Sequence, residues 1–279
     1  MDKDPIRLAI QIVVYVVLYF VTAWVFGPLM LWLGGYLLGT VGAGLFSAIA
    51  ANWLTLRIYE DRHIVDLGLW WNRASARNLG WGLIGGVGSA SLVLVPPLIR
   101  GAAHLQATPS EPASAGTILF VGALLAAGAA GEELFFRGYG FQRLIAVLGP
   151  FATIAVVLVG IVFALLHRLN PNATWFALAN TAGFGILFGY AYIRSRDLWL
   201  PIGLHYGWNL TLPLLGVNLS GLHINMTGRE MSWTAGALWS GGEYGPEASV
   251  LTTGVLVLLF VYIWRIPIIR QPSPLTDAS

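Results

Sequence analysis

Residues 116–137 read GTILFVGALLAAGAAGEELFFR. A charge-free stretch, 116–131, leads into two adjacent carboxylates, Glu132 and Glu133, and then an arginine, Arg137. A charge in hydrocarbon costs at least about 2.5–3.5 kcal/mol on insertion scales. An apolar helix that ends in three ionisable groups therefore needs either internal pairing or a task for them. Helix periodicity separates the two carboxylates. Glu133 and Arg137 stand four apart on one face, with the glutamate N-terminal to the cation, which is the favoured order. Glu132 points about 100° away and is the carboxylate left over. Two readings follow. All three groups form one ion-pair network that holds helices together, or a structural Glu133–Arg137 pair stands beside a reactive Glu132.

The rest of the chain sets the surroundings of that helix. Of 279 residues, 57% are hydrophobic and 10% charged, against about 25% charged in soluble domains. The expected fold is an all-α, polytopic transmembrane bundle of about eight spans, forming one membrane domain over 1–279. A span needs about 20 mostly apolar residues, and the candidates are 8–33, 39–57, 79–99, 116–136, 150–169, 173–193, 198–215 and 249–267. The first is longer than the apolar region of a signal peptide, about 7–15 residues, and reads as a span. Polar connectors are expected at 58–78, 101–115 and 216–248, the last with Trp233, Trp239 and Tyr244 suited to a membrane interface. Gly82 with Gly86 and Gly185 with Gly189 form two GxxxG pairs, which imply close helix packing within the bundle. With no cysteine, disulfides, thiol chemistry and cysteine-ligated metals are excluded. A net charge of +2 gives no ground for a nucleic-acid partner; membrane lipid is the expected partner. Eleven Lys and Arg, from Lys3 and Arg7 to Arg143, Arg265 and Arg270, fall on one side, against Arg100, Arg168 and Arg229 on the other. That bias puts both termini in the cytoplasm. A compact, cysteine-free chain fits a prokaryotic inner membrane.

Two more apolar segments carry polar groups. His167 ends VGIVFALLH, with Phe163 one turn earlier; alone, it reads as an interfacial residue capping carbonyls before Asn170-Pro171. His205 and Asn209, in PIGLHYGWNL, share a helix face, and alone could be a hydrogen-bonding pair across the bundle. His63, His104 and His223 fall in expected loops and read as surface histidines. Together the three segments suggest chemistry. A carboxylate and a histidine can share a water and take its proton. A histidine and an asparagine on one face can donate to a developing oxyanion. Glu132, His167 and His205 are also a His₂Glu set, a composition used by catalytic zinc. Either reading implies hydrolysis within the membrane. Two competing classes remain: a non-catalytic membrane protein using these groups as packing glue or a binding pocket, and a proton-coupled transporter. The chain lacks the repeated halves and paired broken helices typical of the latter.

EELFFR at 132–137, FALLH at 163–167 and HYGWN at 205–209 resemble, in order, the EExxxR, FxxxH and HxxxN patterns of the CPBP family. These are the type II CAAX prenyl protease and bacteriocin-processing (Abi) intramembrane proteases. The similar region, about 116–215, would be the catalytic core. The resemblance implies an intramembrane endopeptidase in which Glu132, helped by His167, activates water while His205 and Asn209 stabilise the oxyanion. Glu133 and Arg137 would support the site. It leaves open either no cofactor or one divalent metal such as zinc, with Glu132, His167 and His205 as candidate ligands; Asn209 suits an oxyanion donor better than a zinc ligand. The implied substrate is a peptide or a prenylated protein. A non-catalytic relative, such as a bacteriocin immunity factor or a scaffold retaining the fold, is the alternative.

One geometric problem comes with this reading. Glu132 lies about 24 Å along its helix from the outer end, whereas His167 falls near the outer end of its own. Straight spans would hold them apart. A partly buried helix over 137–149, shifted boundaries, or tilted and kinked helices would resolve the conflict, with a polar cavity around the site.

Overall fold

The computed structural model describes residues 4–108 and 114–277. Lys3, one of the charges expected on the cytoplasmic side, and residues 109–113 of the second connector lie outside this range. All eight apolar stretches form helix. The first two are limbs of α1 (Pro5–Tyr59), which breaks at Gly34–Gly35, where Gly35 adopts φ +71°. A β-carbon built at Gly39 would come within 2.6 Å of the Leu31 side chain, and one at Gly42 within 3.0 Å of Met30. These pairings show the second limb running back along the first, at a separation that side chains on those glycines would forbid.

The chain continues through α2 (Arg73–Ile99), started by the Asn72 side chain accepting from Ser75 N–H, and β1 (Ala103–Ala107). Next come α3 (Ala115–Arg137), α4 (Tyr139–Leu148), α5 (Ala152–Leu166), α6 (Trp175–Ser195) and α7 (Trp199–Leu214). The last elements are β2 (Arg229–Trp233), α8 (Ala237–Ser240) and α9 (Val250–Arg265). Among the described residues, four helical runs are long and apolar enough to cross a membrane: Pro5–Tyr59, Arg73–Ile99, Ala115–Leu169 and Trp175–Ser195. Large apolar side chains such as Trp24, Trp32, Leu119 and Leu169 point outward. In water such a surface would drive association; it is the face expected against lipid. The protein is a helical integral membrane protein.

The connectors hold more structure than expected. β1 and β2 pair antiparallel, Ala103 opposite Trp233 and Ala107 opposite Arg229. They tie 101–115 to 216–248, so the fold is helical with one short ribbon. His104 sits exposed on β1 rather than in a loop. Sequence periodicity could not find this pair, because each strand is short and its partner is more than a hundred residues away.

Glycine seams fix the helix positions. On α2, Gly82 and Gly86 meet Gly203 and Gly207 on α7. A β-carbon at Gly203 would lie 2.6 Å from Leu79 O, and one at Gly207 2.9 Å from Leu83 O. Gly185 of α6 likewise faces Gly160 of α5, a β-carbon there coming 2.8 Å from the Gly160 Cα. Both GxxxG pairs read in the sequence are thus filled by this chain's own helices.

The turn at Gly138 resolves the geometric problem. A helix C-terminus leaves four carbonyls unpaired, and here α1 supplies partners. Asn52 Nδ2 donates to Leu134 O at 3.0 Å and Tyr15 Oη donates to Phe135 O at 2.9 Å. Asn52 Oδ1 accepts from Tyr139 N–H at 2.7 Å, opening α4. Helix α4 is a buried amphipathic segment that packs against α1, α3 and α5 and so separates the end of α3 from the start of α5. Arg143 on it, counted from sequence among the charges of the cytoplasmic side, is buried and paired with Glu60 at 3.3 Å. The amphipathic helix needs a polar side inside the bundle, and Glu60, at the end of α1, neutralises it.

Candidate active site

Glu133, near the C-terminal end of α3, is fully buried. Its Oε1 accepts from Arg137 Nη1 at 3.2 Å and lies 2.9 Å from His205 Nδ1 on α7. Arg137, also fully buried, donates from Nη2 to Gly185 O of α6 at 2.7 Å. Its guanidinium lies 5.1–5.5 Å from the ring centroids of Phe163, Phe188 and Phe136. Cation–π contacts of this kind contribute more when desolvated, about 2 kcal/mol. The Glu133–Arg137 pair therefore joins α3 to α6 and, through His205, to α7.

His205 is held on two sides. Phe188 stacks on its ring at 4.9 Å with planes 16° apart. With Glu133 as acceptor, Nδ1 carries the hydrogen, and Nε2 is left 3.9 Å from Glu132 Oε2. At that separation the nitrogen and the oxygen make no direct hydrogen bond. The glycine seam explains the aim of this ring. His205 lies two residues from both Gly203 and Gly207, about 200° around the helix. Glycines face α2, so His205 faces α3.

Glu132 behaves differently from its neighbour. Its side chain is 43% exposed, yet its Oε2 is buried and has no hydrogen-bond partner. It lines a cavity of about 490 Å³, whose wall also includes His167, His205 and Asn209. His167 opens a short 3₁₀ turn (His167–Leu169), with Nδ1 2.8 Å from Phe163 O and its ring 4.5 Å from the Phe163 ring. Its contact with a carbonyl of its own helix is the capping expected of a helix-end histidine, and it coexists with a place in the cavity wall. Glu132, His167, His205 and Asn209 line one cavity, and Glu133 and Arg137 pack behind it, bonded to His205 and to Gly185 O. His63, His104 and His223 are exposed and lie outside it.

The donor set bears on the metal question. Among the described residues no three His, Asp or Glu side chains converge as a group able to hold a metal ion. His205 Nδ1 and His167 Nδ1 are engaged by Glu133 and by a carbonyl, which leaves Nε2 of each ring as the nitrogen open to a further partner. Glu132, His167 and His205 share a cavity wall without closing to a coordination cluster.

Sequence reading missed part of the wall. Glu247, in the 216–248 connector, and Trp208 also line the cavity. No spacing ties Glu247 to the motif residues; an acidic residue among glycines, SGGEYGPEASV at 240–250, looks like ordinary connector sequence.

A family model described as type II CAAX prenyl endopeptidase Rce1-like matches residues 112–211. That interval, roughly a third of the chain, contains every motif residue described above. No curated protein and no solved structure gives a match.

Proposed function

We propose, for a chain that belongs to the CPBP group of type II CAAX prenyl endopeptidases through residues 112–211, that it is an active intramembrane endopeptidase. Its family is a family of proteases. The observation that carries the reading is Glu132 Oε2: a carboxylate oxygen without a partner, 3.9 Å from His205 Nε2, in a cavity shared with His167 and Asn209.

In this reading Glu132 takes the proton from a water bound in the cavity, with His167 helping to orient and deprotonate it. The hydroxide attacks the peptide carbonyl. His205, aimed by Glu133, and Asn209, donating from its amide, stabilise the resulting oxyanion. Glu133 holds His205 in orientation from Nδ1, and Arg137 balances the Glu133 charge. The proton held by Glu132 then passes to the leaving amine. No metal is needed for these steps. The substrate is a peptide or prenylated protein drawn from the lipid phase. The setting we propose is a prokaryotic inner membrane, with eight spans and both termini cytoplasmic.

Cleavage of a panel of peptides, farnesylated CAAX sequences included, by purified wild type and Glu132→Gln, each with and without a strong chelator, tests the reading. Cleavage lost with Glu132→Gln and unaffected by chelator supports it. Loss on chelation as well would favour a bound metal. No cleavage by a folded wild type would favour the non-catalytic alternative, an immunity factor or scaffold.

A further inference from the structure

The helical bundle has two poles, and only one of them leads to the site. At the first lie the start of α1, the 60–72 connector, α4, the turn from α6 to α7, and residues 266–277. Hydrogen bonds stitch these segments into a floor. Gln142 Nε2 of α4 donates to Leu67 O at 3.0 Å, and Leu198 N–H donates to Gly68 O at 3.1 Å. Trp199 Nε1–H donates to Trp70 O at 3.0 Å, and Gln271 Nε2 donates to Asp197 Oδ2 at 2.9 Å. Asn52, Leu67, Tyr139 and Leu198 in this region are fully buried.

The cavity wall extends from Glu132 and His205 toward the second pole. It takes α5 from Phe163 onward, α6 up to Phe188 and α7 from His205 onward, each the part of its helix nearer that pole. Leu169, Asn170, Ser220 and Leu222 continue it beyond the helix ends. Among the described residues, none of the floor segments supplies a wall residue. Phe20, Leu166, Leu169 and Leu222 combine a place in the wall with exposure at the surface. They form the mouth, and its rim is apolar. Charge tells the poles apart. Arg57, Arg62, Arg73, Arg77, Arg194 and Arg265 lie at the closed one, and Arg100, Arg168 and Arg229 at the open one. Basic residues concentrate on the cytoplasmic side of membrane proteins.

We propose that the cavity takes its substrate from the non-cytoplasmic side, and that this substrate is a peptide tethered in the outer leaflet by an apolar anchor. The inference rests on the protease reading above and on the orientation given with it. Peptide groups in hydrocarbon must be paired. A tethered chain meets that demand by keeping its anchor on the apolar rim while its unwound segment enters the polar cavity. A prenylated protein held at the cytoplasmic face would meet the closed floor instead.

The chain has no cysteine, so single cysteines report sidedness without background. His223→Cys lies beside Leu222 at the mouth and His63→Cys at the closed pole, both at exposed positions. In bacterial cells expressing the full chain, a membrane-impermeant maleimide should label His223→Cys in intact spheroplasts and His63→Cys only after permeabilisation. The reverse pattern overturns the proposal. A second arm reads access by cleavage. The probe is a farnesylated Cys-aliphatic-aliphatic-Xaa peptide carrying a sulfonated, impermeant dye, added to membrane vesicles that hold wild type. Right-side-out vesicles should cleave it, sealed inside-out vesicles should not, and detergent should make the two equal. Cleavage by sealed inside-out vesicles overturns the proposal. The same peptide without its farnesyl group should lose most of its cleavage by right-side-out vesicles; equal cleavage defeats the leaflet anchor. Vesicles that cleave nothing even in detergent defeat the protease reading itself, and the maleimide pattern then still decides which side the cavity faces.

Discussion

Glu133 Oε1 and His205 Nδ1 lie 2.9 Å apart, a buried contact that joins the end of α3 to the middle of α7. One carboxylate oxygen thereby holds a histidine in place and, through Arg137 at 3.2 Å, keeps its own charge compensated. The adjacent Glu132 has no such partner on Oε2. The two neighbouring glutamates should therefore respond to mutation in opposite ways.

Removing one member of the buried pair leaves the other charge unpaired, at a cost of about 3–5 kcal/mol. Arg137→Ala and Glu133→Ala are expected to lower the unfolding free energy by that amount. Denaturation of purified protein in detergent, followed by tryptophan fluorescence, reads the change. A melting temperature equal to wild type in Arg137→Ala would show that the pair is not a structural element.

Glu132→Gln keeps shape and hydrogen-bonding atoms at a partly exposed position. Its melting temperature should match wild type while peptide cleavage falls by about 10²–10⁴-fold, the range for loss of a positioned acid–base group. A full-rate Glu132→Gln enzyme would remove this residue from the chemistry.

The seam between α2 and α7 should tolerate no side chain. At Gly207 an added β-carbon meets Leu83 O at 2.9 Å, and at Gly86 it runs into Leu204 O. Gly207→Ala is expected to cost about 1–3 kcal/mol by overpacking and to reduce cleavage, because α7 must move and His205 moves with it. Gly254 of α9 has nothing within 4 Å of the same position, so Gly254→Ala should be neutral or stabilising by up to about 1 kcal/mol. Thermal melts of the two variants side by side provide the comparison.

Glu247 predicts a pH dependence. Burial, opposed in part by hydrogen bonds from its own backbone, Ser220 and Trp208, pushes its carboxyl up to about 7 from an ordinary 4.5. A raised value means the folded state holds the proton more tightly than the unfolded chain. The associated stability is complete below about pH 4.5 and is lost as pH rises through about 7, amounting to roughly 3 kcal/mol. Melting temperature measured from pH 4 to 8 should fall across that window in wild type, and Glu247→Gln should flatten this component. Identical profiles for the two proteins would contradict the assignment.

The parts legible in the sequence were those governed by helix periodicity. The i,i+4 spacing of Glu133 and Arg137 became a 3.2 Å ion pair, the eight apolar stretches became helix, and the GxxxG pairs became seams. These follow from rules that act over a turn or two of one helix, so the residues themselves determine them. The contact between Glu133 and His205 spans 72 positions. It exists because Asn52 caps the break at Gly138, α4 separates the end of α3 from the start of α5, and the glycines of α7 press its other face against α2. The place of Glu247 in the cavity likewise depends on how the 216–248 connector folds back over α6 and α7, which no local pattern encodes. Local spacing determined which residues could pair within a helix. Packing between distant helices decided which carboxylate was left facing the cavity, and beside what, because those distances are set by close approach of backbones far apart in the chain.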